Sequence, residues 1–270
     1  MSLTLECRDI EGRPLPLLVS PVIPAEFGHG FATRAGGVSP APYETFNLGL
    51  AWGDAREAVL ENRRRLRAWL GVERLYLVRQ VHGRAVAGVG GAADPVERLA
   101  AQEADGLHTN VPGAALGVFV ADCVPVLLAD PRTGACAAVH AGWRGVVAGV
   151  VSSAAQAMEQ AYGTRPADLR AAMGPSIGAC CFEVGPEVVS AFRTARVPDG
   201  ENGVVRERPG AKPHIDLRRA LALELAALGV PAAQVDPGGE CTKCDPQGRF
   251  YSYRRDNTRT GQHLGVIVRR

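Results

Sequence analysis

Short apolar runs of strand character alternate with segments of helical character along this chain, and neither a low-complexity linker nor a fixed-period repeat interrupts them. Such alternation is typical of mixed-class proteins, in which helices cover sheets. With 270 residues, 46% of them hydrophobic, the chain can bury a sizeable core. We therefore expect a compact fold of mixed helix and sheet class that forms a single domain over residues 1–270.

Six runs have the length and the apolar or alternating pattern of strands. They cover residues 75–81, 114–120, 126–129, 135–139, 169–173 and 264–268. The segment 130–134 (DPRTG) predicts a turn between two of them, since proline presets one dihedral and glycine relieves another. Residues 198–213 are polar and rich in glycine, proline and charge, which indicates a mobile loop.

Residues that favour helix ends mark four helices. Asp54 and Glu57 form a capping-box-like pair at the start of a helix over 55–70, and Gly71 ends it. The other signals are an apolar segment over 144–162 stopped by Gly163, Pro186 at the first turn of a third helix, and a fourth helix between Asp216 and Gly229.

Charge and cysteine content narrow the class of protein. The formal net charge is +2 and the basic residues are spread along the chain, so we expect no nucleic-acid partner. No stretch approaches about 20 uninterrupted apolar residues, so we expect no membrane span. The number of cysteines is odd, at 7, and Glu6 and Asp9 stand where a signal peptide would be basic and then apolar. A cytoplasmic setting follows, with cysteines as thiols or ligands.

Three residues that can bind zinc, His82, Cys123 and His140, each lie near glycine or small residues at the end of an apolar run. A thiolate and two imidazoles leave a fourth tetrahedral position open, as in catalytic zinc sites. They are far apart in sequence, so only a folded domain can bring them together. The predicted turn at 130–134 places Cys123 and His140 at either side of a hairpin. Cys123 could instead be a nucleophile with a histidine as its base.

Two further motifs are weaker. Residues 174–178 (GPSIG) match the G-x-S-x-G elbow of esterases, but Pro175 fixes φ where that elbow is strained, so we interpret the segment as a glycine-rich loop facing substrate. Cys241 and Cys244 form a single C-x-x-C, which fits a redox pair, half of a second metal site, or two incidental thiols, and we favour a structural or incidental role. The adjacent residues 180 and 181, both cysteine, are assigned to packing.

Four arginines in glycine-rich or aromatic turns, Arg34, Arg144, Arg254 and Arg255, are candidates for binding an anion, because guanidinium groups bind oxyanions in a bidentate manner. The arginines at 63–67 are interpreted instead as surface residues of the first helix.

These motifs belong to a longer series that resembles a known family. The series comprises residues 29–39 (HGFATRAGGVS), 46–49 (FNLG), 80–83 (QVHG), 104–106 (ADG), 121–123 (ADC), 140–145 (HAGWRG), 174–177 (GPSI), 181–185 (CFEVG), 241–242 (CT) and 250–256 (FYSYRRD). They resemble the YfiH-like proteins, also described as the multicopper polyphenol oxidase or laccase-domain family and as purine nucleoside phosphorylases. Phe46 departs from the family pattern, in which leucine is common.

The resemblance implies that His82, Cys123 and His140 are a zinc-binding catalytic trio, with copper as the alternative metal. It implies an α+β fold, a layered sandwich of mixed β-sheets flanked by helices that is similar to toxin-type cysteine deamidases. It also implies phosphorolysis of adenosine, inosine, guanosine or methylthioadenosine, and deamination of adenosine.

On this basis the partners are a purine nucleoside and phosphate, and the chain is compatible with a monomer. We predict that Arg34 and Arg144 clamp phosphate or substrate, and that Asn47 and Ser176 form hydrogen bonds to sugar or base. Three alternatives stay open. They are a copper-dependent polyphenol oxidase, for which six histidines are few, a metal-independent cysteine hydrolase or amidase acting on cell-wall precursors or proteins, and a zinc-binding module without activity.

Overall fold

The fold is that of a computed structural model, which describes residues 2–90, 95–195, 203–207 and 209–270. The strands are β1 (Thr4–Ile10), β2 (Arg13–Val19), β3 (Phe27–Ala32), β4 (Arg74–Tyr76), β5 (Val86–Gly88), β6 (Gly106–Thr109), β7 (Ala114–Val120), β8 (Val124–Asp130), β9 (Ala135–Ala141), β10 (Arg170–Met173), β11 (Val205–Arg206), β12 (His214–Ile215), β13 (Val235–Asp236) and β14 (His263–Arg269). The helices are α1 (Arg56–Leu70), α2 (Val96–Ala101), α3 (Trp143–Ala148), α4 (Val150–Tyr162), α5 (Pro186–Thr194), α6 (Leu217–Leu228) and α7 (Tyr253–Asp256).

Two six-stranded mixed sheets form the centre of the molecule. The first has the strand order β1-β2-β3-β14-β7-β4, in which the β7–β4 pair is parallel and the others are antiparallel. The second has the order β13-β10-β8-β9-β6-β5, with parallel pairs at its two edges. The chain passes from the first sheet to the second between β7 and β8.

Strand alternation sorts apolar side chains into separate layers of core. On β8, Val126 and Leu128 pack with α3 to α6, whereas Leu127 faces the first sheet. On β14, Ile267 faces the second sheet, while Val266 packs on the side where α1 lies. The layers therefore follow the order helix, sheet, sheet, helices, which confirms the predicted α+β sandwich of mixed sheets flanked by helices.

Three predicted helix ends are confirmed. Gly71, Gly163 and Gly229 each end a helix in the left-handed conformation, with φ of 74, 68 and 95°. Glycine adopts this conformation without the steric cost that a Cβ atom brings. Its position therefore marks the end of each helix.

Two details of the helix prediction were wrong. Asp54 does not cap α1, because one of its carboxylate oxygens accepts hydrogen bonds from Ser39 and Asn47 in the preceding loop. The helix predicted over 144–162 is divided into α3 and α4 at Gly149, whose φ is 77°.

The predicted strands are present with shifted ends. In place of the strand predicted over 75–81, the structure has a strand over Arg74–Tyr76. Further along, the Gln80 side chain takes the place of backbone pairing, since its amide bonds to the N–H and C=O of Phe119. Residues 198–202 and 208 of the loop predicted over 198–213 lie outside the described residues, and Val205–Arg206 pairs with His214–Ile215. Among the described residues, no helix is long and apolar enough to cross a membrane.

Candidate active site

The side chains of His82, Cys123 and His140 meet where the two sheets join. Their ligand atoms all lie within 4.8 Å of one another, and the two imidazole rings pack edge to face with centroids 4.8 Å apart. His82 is exposed, Cys123 is half-buried and His140 is buried. The three residues that the sequence singled out therefore form one constellation, accessible from solvent on the His82 side.

The strands explain this meeting. Cys123 ends a link of three residues between β7 and β8, which carries the chain from one sheet to the other. His140 pairs with Pro125 across the β8–β9 hairpin, as the predicted turn required. By alternation it lies on the same face of β9 as Ala138, which packs toward the first sheet. His82 follows β4 in a loop and has a left-handed φ of 59°.

Asp105 holds two of the three residues in place, a role that was not predicted from the sequence. Its buried carboxylate accepts a hydrogen bond of 2.8 Å from His140 Nδ1. It also accepts bonds from the backbone N–H groups of Val81, His82 and Gly83, at 3.3, 2.9 and 2.6 Å. Because Nδ1 of His140 is bonded to Asp105, its Nε2 is free for the site, which is the orientation that metal-binding histidines adopt.

Charges in this group favour a thiolate beside a protonated imidazole when no metal is bound. Burial raises the pKa of the Cys123 thiol, but the positive charge of His140 and hydrogen bonds from both imidazoles outweigh it and lower the pKa to about 6. Burial lowers the pKa of His140, but the Cys123 thiolate and Asp105 raise it to about 9. Burial likewise raises the pKa of Asp105, and its bonds to His140 and to the Gly83 N–H bring it below the usual value.

Asp122 fixes the backbone next to Cys123 in an unusual conformation, with φ of 100°. Such a conformation costs on the order of 1–3 kcal/mol for a residue other than glycine. Three hydrogen bonds offset that cost: Oδ1 accepts from Thr242 at 2.6 Å, Oδ2 from the Arg254 N–H at 2.6 Å, and the carbonyl from the Ile177 N–H at 2.8 Å. Through Asp122, the position of Cys123 depends on loops that are distant in sequence.

Gly142 gives the trio the room to come together. A Cβ atom at this position would lie 2.8 Å from His82 Nδ1 and 3.1 Å from Cys123 Sγ. Its φ of −74° and ψ of 165° are open to any residue, so the requirement for glycine here is steric.

The trio lies in a cleft of about 720 Å³, a size that suits a small organic ligand. Its wall combines aromatic and aliphatic groups with several guanidinium groups. The wall residues that bear on function are Trp52, Arg63, Phe119, Arg144, Tyr253 and Arg254.

Two of the arginines that the sequence proposed for an anion line this cleft. They are Arg144 and Arg254, and each stacks on an aromatic ring. Arg144 lies 4.4 Å from the ring centroid of Trp143, and Arg254 lies 5.3 Å from that of Phe182. Both guanidinium groups are therefore placed where an anion in the cleft can reach them.

Arg63 also lines the cleft, although its position on α1 suggested a surface residue. Burial and the neighbouring Arg56 lower the pKa of Arg63 to about 10. Its guanidinium therefore stays charged at neutral pH and adds a further positive group to the cleft wall, which also includes Arg79.

Arg34 lies outside the cleft. It lines a separate depression on the surface and donates hydrogen bonds to the carbonyl and the carboxylate of Glu44. The structure therefore does not bring Arg34 together with Arg144 as a single clamp.

Asn47 is buried in the loop before α1. Its amide nitrogen donates to the Gly49 carbonyl and to Asp54, and its amide oxygen accepts from the N–H groups of Gly49 and Gln262. These bonds occupy both ends of the Asn47 amide, so its contacts in this structure are with its own loop and with the segment before β14.

Ser176 of the G-x-S-x-G segment is fully buried, and its hydroxyl has no hydrogen-bond partner among the described residues. Its backbone pairs with the loop at Glu240 and Thr242. A nucleophilic serine must reach solvent, so the segment is not an exposed elbow. The next residue, Ile177, lines the cleft, so this loop contributes to the cleft wall.

Comparison with known proteins identifies the family. Residues 28–270 match the model for multi-copper polyphenol oxidoreductase laccase. The chain is 36% identical over 249 residues to "Purine nucleoside phosphorylase YlmD" of Geobacillus stearothermophilus, with 89% of each sequence covered. It is 39% identical over 260 residues to "Purine nucleoside phosphorylase" of Deinococcus radiodurans, with 94% of this chain and 92% of that one covered.

Solved structures agree with the sequence relatives. YlmD of Geobacillus stearothermophilus superposes with a TM-score of 0.85 at 34% identity, covering 94% of this chain and 96% of its own. The hypothetical protein YfiH of Bacillus licheniformis superposes with a TM-score of 0.87 at 28% identity, covering 98% and 99%. The chain therefore belongs to the multi-copper polyphenol oxidoreductase laccase family, in which relatives are named purine nucleoside phosphorylases.

Proposed function

We propose that this protein is a zinc-dependent purine nucleoside phosphorylase. The reaction transfers the ribosyl group from a purine to phosphate, giving ribose 1-phosphate and the free base. The observation that carries the proposal is the His82, Cys123 and His140 constellation in a cleft that also holds aromatic rings and guanidinium groups. The names of two relatives support the same activity.

The chemistry of the three side chains fits zinc. One thiolate and two imidazoles are ligands that zinc takes in catalytic sites, where a fourth position stays open. Asp105 orients His140 through Nδ1, and Gly142 leaves the space in which His82 and Cys123 approach each other. A zinc ion held by these residues would supply Lewis acidity for a developing negative charge.

Aromatic residues of the cleft provide surfaces for the purine. Trp52 and Tyr253 have ring centroids 5.7 Å apart at the cleft wall, and Phe119 belongs to the same wall. A planar base can pack against such faces.

Charged residues of the cleft would bind and orient the remaining groups. Arg144 and Arg254 are both exposed in the cleft, and we assign them to phosphate. Asp105 keeps the His140 Nδ1 proton in place during the reaction, so His140 presents the same nitrogen to the site throughout.

The positions of the histidines favour this activity over multicopper oxidation, which needs further copper-binding histidines. The four other histidines are bonded outside the trio. Their partners are Ser20 for His29, Tyr162 for His108, Ala179 for His214 and Tyr251 for His263. Among the described residues, the groups able to hold a metal contain only two histidines, His82 and His140.

One experiment tests the proposal directly. Metal-analysed protein is incubated with inosine or adenosine, with and without phosphate, and the products are separated. We expect ribose 1-phosphate and free base only when phosphate is present. Cys123→Ala should abolish this cleavage, and Cys7→Ala, which changes an exposed cysteine on β1, should not. Phosphorolysis retained by Cys123→Ala would refute the site. Conversion of adenosine to inosine by the unchanged protein but not by Cys123→Ala would assign deamination to the same residues.

A second candidate function rests on a specific observation. Cys123, His140 and Asp105 also match the nucleophile, base and orienting acid of cysteine hydrolases. Zinc binding would blunt such a nucleophile. Chelation should therefore stop a phosphorylase and activate a hydrolase. Because the chain has seven cysteines, the iodoacetamide adducts are located by peptide mass, and Cys123 itself should be alkylated fast only in chelator-treated protein.

A further inference from the structure

Four cysteines outside the cleft form a second constellation. Cys180 and Cys181 come from the loop after β10, and Cys241 and Cys244 come from the loop after β13. Their four Sγ atoms all lie within 4.8 Å of one another, and Cys180 Sγ is 3.6 Å from Cys244 Sγ. The sequence suggested that Cys180 and Cys181 serve packing, but both thiols belong to this group.

The two loops are held together by their backbones, independently of the thiols. The Ser176 N–H donates to the Glu240 carbonyl, and the Thr242 N–H donates to the Ser176 carbonyl. Ser176 and Cys241 form a parallel bridge. These backbone hydrogen bonds fix the positions of the two loops, so the four cysteines lie close together because of the backbone and not because of their side-chain rotamers.

The surroundings of Cys241 suit a metal thiolate. The Gly178 N–H donates to Cys241 Sγ at 3.2 Å, and hydrogen bonds from N–H groups stabilise a negative sulfur. Gly178 also leaves the space for the group, because a Cβ there would lie 3.1 Å from Cys180 Sγ and 3.4 Å from Cys241 Cβ. Arg218 Nη2 would be 3.4 Å from that same Cβ, so a guanidinium lies beside the thiols.

We propose that Cys180, Cys181, Cys241 and Cys244 bind a second, structural zinc ion. Four thiolates fill every tetrahedral position, so the site would be closed to substrate, as structural zinc sites are. Two of the ligands have the C-x-x-C spacing common in such sites. The sulfurs lie within 4.8 Å of one another, which suits one ion better than a cluster of several irons, in which the sulfurs are held further apart.

The role of this ion is to fix the loops that support the cleft. Thr242, one residue after Cys241, donates to Asp122, and Asp122 precedes Cys123. Ile177, one residue before Gly178, donates its N–H to the Asp122 carbonyl. A tetrathiolate ion would therefore stabilise both loops that hold Asp122 in its positive-φ conformation. This inference concerns metal content and does not rest on the proposed phosphorylase activity.

Metal analysis of the purified full chain tests the proposal. We expect two zinc ions per chain in the unchanged protein and one in the Cys180→Ser/Cys244→Ser variant, with two retained in the matched control Cys7→Ser. Cys123→Ala should also hold one ion, which is the four-cysteine one. One ion in the unchanged protein, with no further loss in the Cys180→Ser/Cys244→Ser variant, would overturn the proposal.

A second measurement avoids substitution in the cluster, in case that variant does not fold. Cys123→Ala is reconstituted with Co²⁺ alone, and its absorption spectrum is recorded. Intense sulfur-to-metal charge-transfer bands and the visible bands of tetrahedral cobalt are expected, since the four thiols remain to bind it. A spectrum without them, bound iron in the protein as isolated, or a disulfide detected by intact mass would each contradict a tetrathiolate zinc site.

Discussion

Replacing Gly142 with alanine tests the steric basis of the constellation formed by His82, Cys123 and His140. The added Cβ would lie 2.8 Å from His82 Nδ1, whereas ordinary contact begins at 3.4 Å, so the ring must move by about 0.6 Å, the difference between the two. Metal–ligand distances tolerate deviations of only about 0.2 Å. His82 is exposed and can move outward, so the displacement changes the proposed metal site and not the fold.

The expected size of the effect follows from this displacement. Removing a hydrogen-bond partner of a metal ligand typically weakens metal binding by about 10- to 100-fold. Displacing a ligand itself should therefore weaken zinc binding at this site by at least about 10-fold. A misplacement of this order lowers kcat/KM by about 100-fold, or roughly 2.7 kcal/mol in the barrier. The backbone conformation at 142 accepts alanine, so the free energy of unfolding should change by no more than about 1 kcal/mol.

Zinc competition with a chromophoric chelator and a coupled assay of base release measure the two effects. Gly239→Ala is the matched control, since a Cβ there meets nothing within 4 Å and its φ is not positive. Wild-type zinc affinity and turnover in Gly142→Ala would refute the claim that the trio needs this space. Loss of activity together with a fall in Tm of more than about 5 °C would point instead to a folding defect.

Three other changes probe separate parts of the molecule. Asp105→Asn should weaken zinc binding by about 10- to 100-fold, because an amide cannot accept hydrogen bonds from both His140 and all three backbone N–H groups. Competition with a chelator measures this loss, and the control Asp168→Asn on the surface should leave zinc binding unchanged. Arg144→Ala should raise the KM for phosphate about 10-fold or more while leaving zinc content unchanged, and an unchanged phosphate KM would remove Arg144 from the anion site. Burial and Arg34 lower the pKa of His263 to about 3. In the unfolded chain, His263 therefore binds a proton below about pH 6.5, whereas in the folded protein it does not. The free energy of unfolding consequently falls by up to about 1.4 kcal/mol per pH unit as the pH drops from 6.5 toward 3. Denaturant unfolding at pH 7 and 5 should show a smaller loss in His263→Gln, and equal slopes would exclude this histidine as a source of acid sensitivity.

The parts of the site that sequence could predict have local signals. Cysteine and histidine are rare enough that three of them at the ends of apolar runs point to one site, and the turn at 130–134 links two of them into a hairpin. Gly71, Gly163 and Gly229 could be identified as helix ends because the left-handed conformation suits glycine wherever it occurs.

The supporting residues have no such signal. Asp105 is a lone carboxylate whose role arises because β6 lies beside β9, which brings it to His140 from 35 residues away. The four cysteines likewise converge because the Ser176 and Cys241 segments pair. These segments are far apart in the sequence, and neither contains a signal that predicts the pairing. Contacts of this kind depend on long-range packing, which sequence spacing does not encode.

Arg34 and Asn47 illustrate a different difficulty. A glycine-rich turn suggested ligand binding for Arg34, and the family resemblance suggested it for Asn47, but the loop they belong to has many backbone groups of its own to satisfy. Asn47 bonds to Gly49 and to the Gln262 N–H, and Arg34 bonds to the Glu44 carbonyl. Irregular segments require such internal partners, and sequence alone does not separate them from residues that contact a ligand.

The link between Val120 and Val124, which joins the two sheets, is short. Three residues bridge the two sheets there, and β8 pairs with β9 along its entire length. Because this pairing fixes the register of β8, one residue inserted or deleted in the link would displace Cys123 and Asp122, and a deletion would also draw Val124 away from its partner Ala141. Variation in what the cleft accepts must therefore arise from segments with free length, such as the loop that carries Trp52, while the crossing itself tolerates substitution but not a change in length.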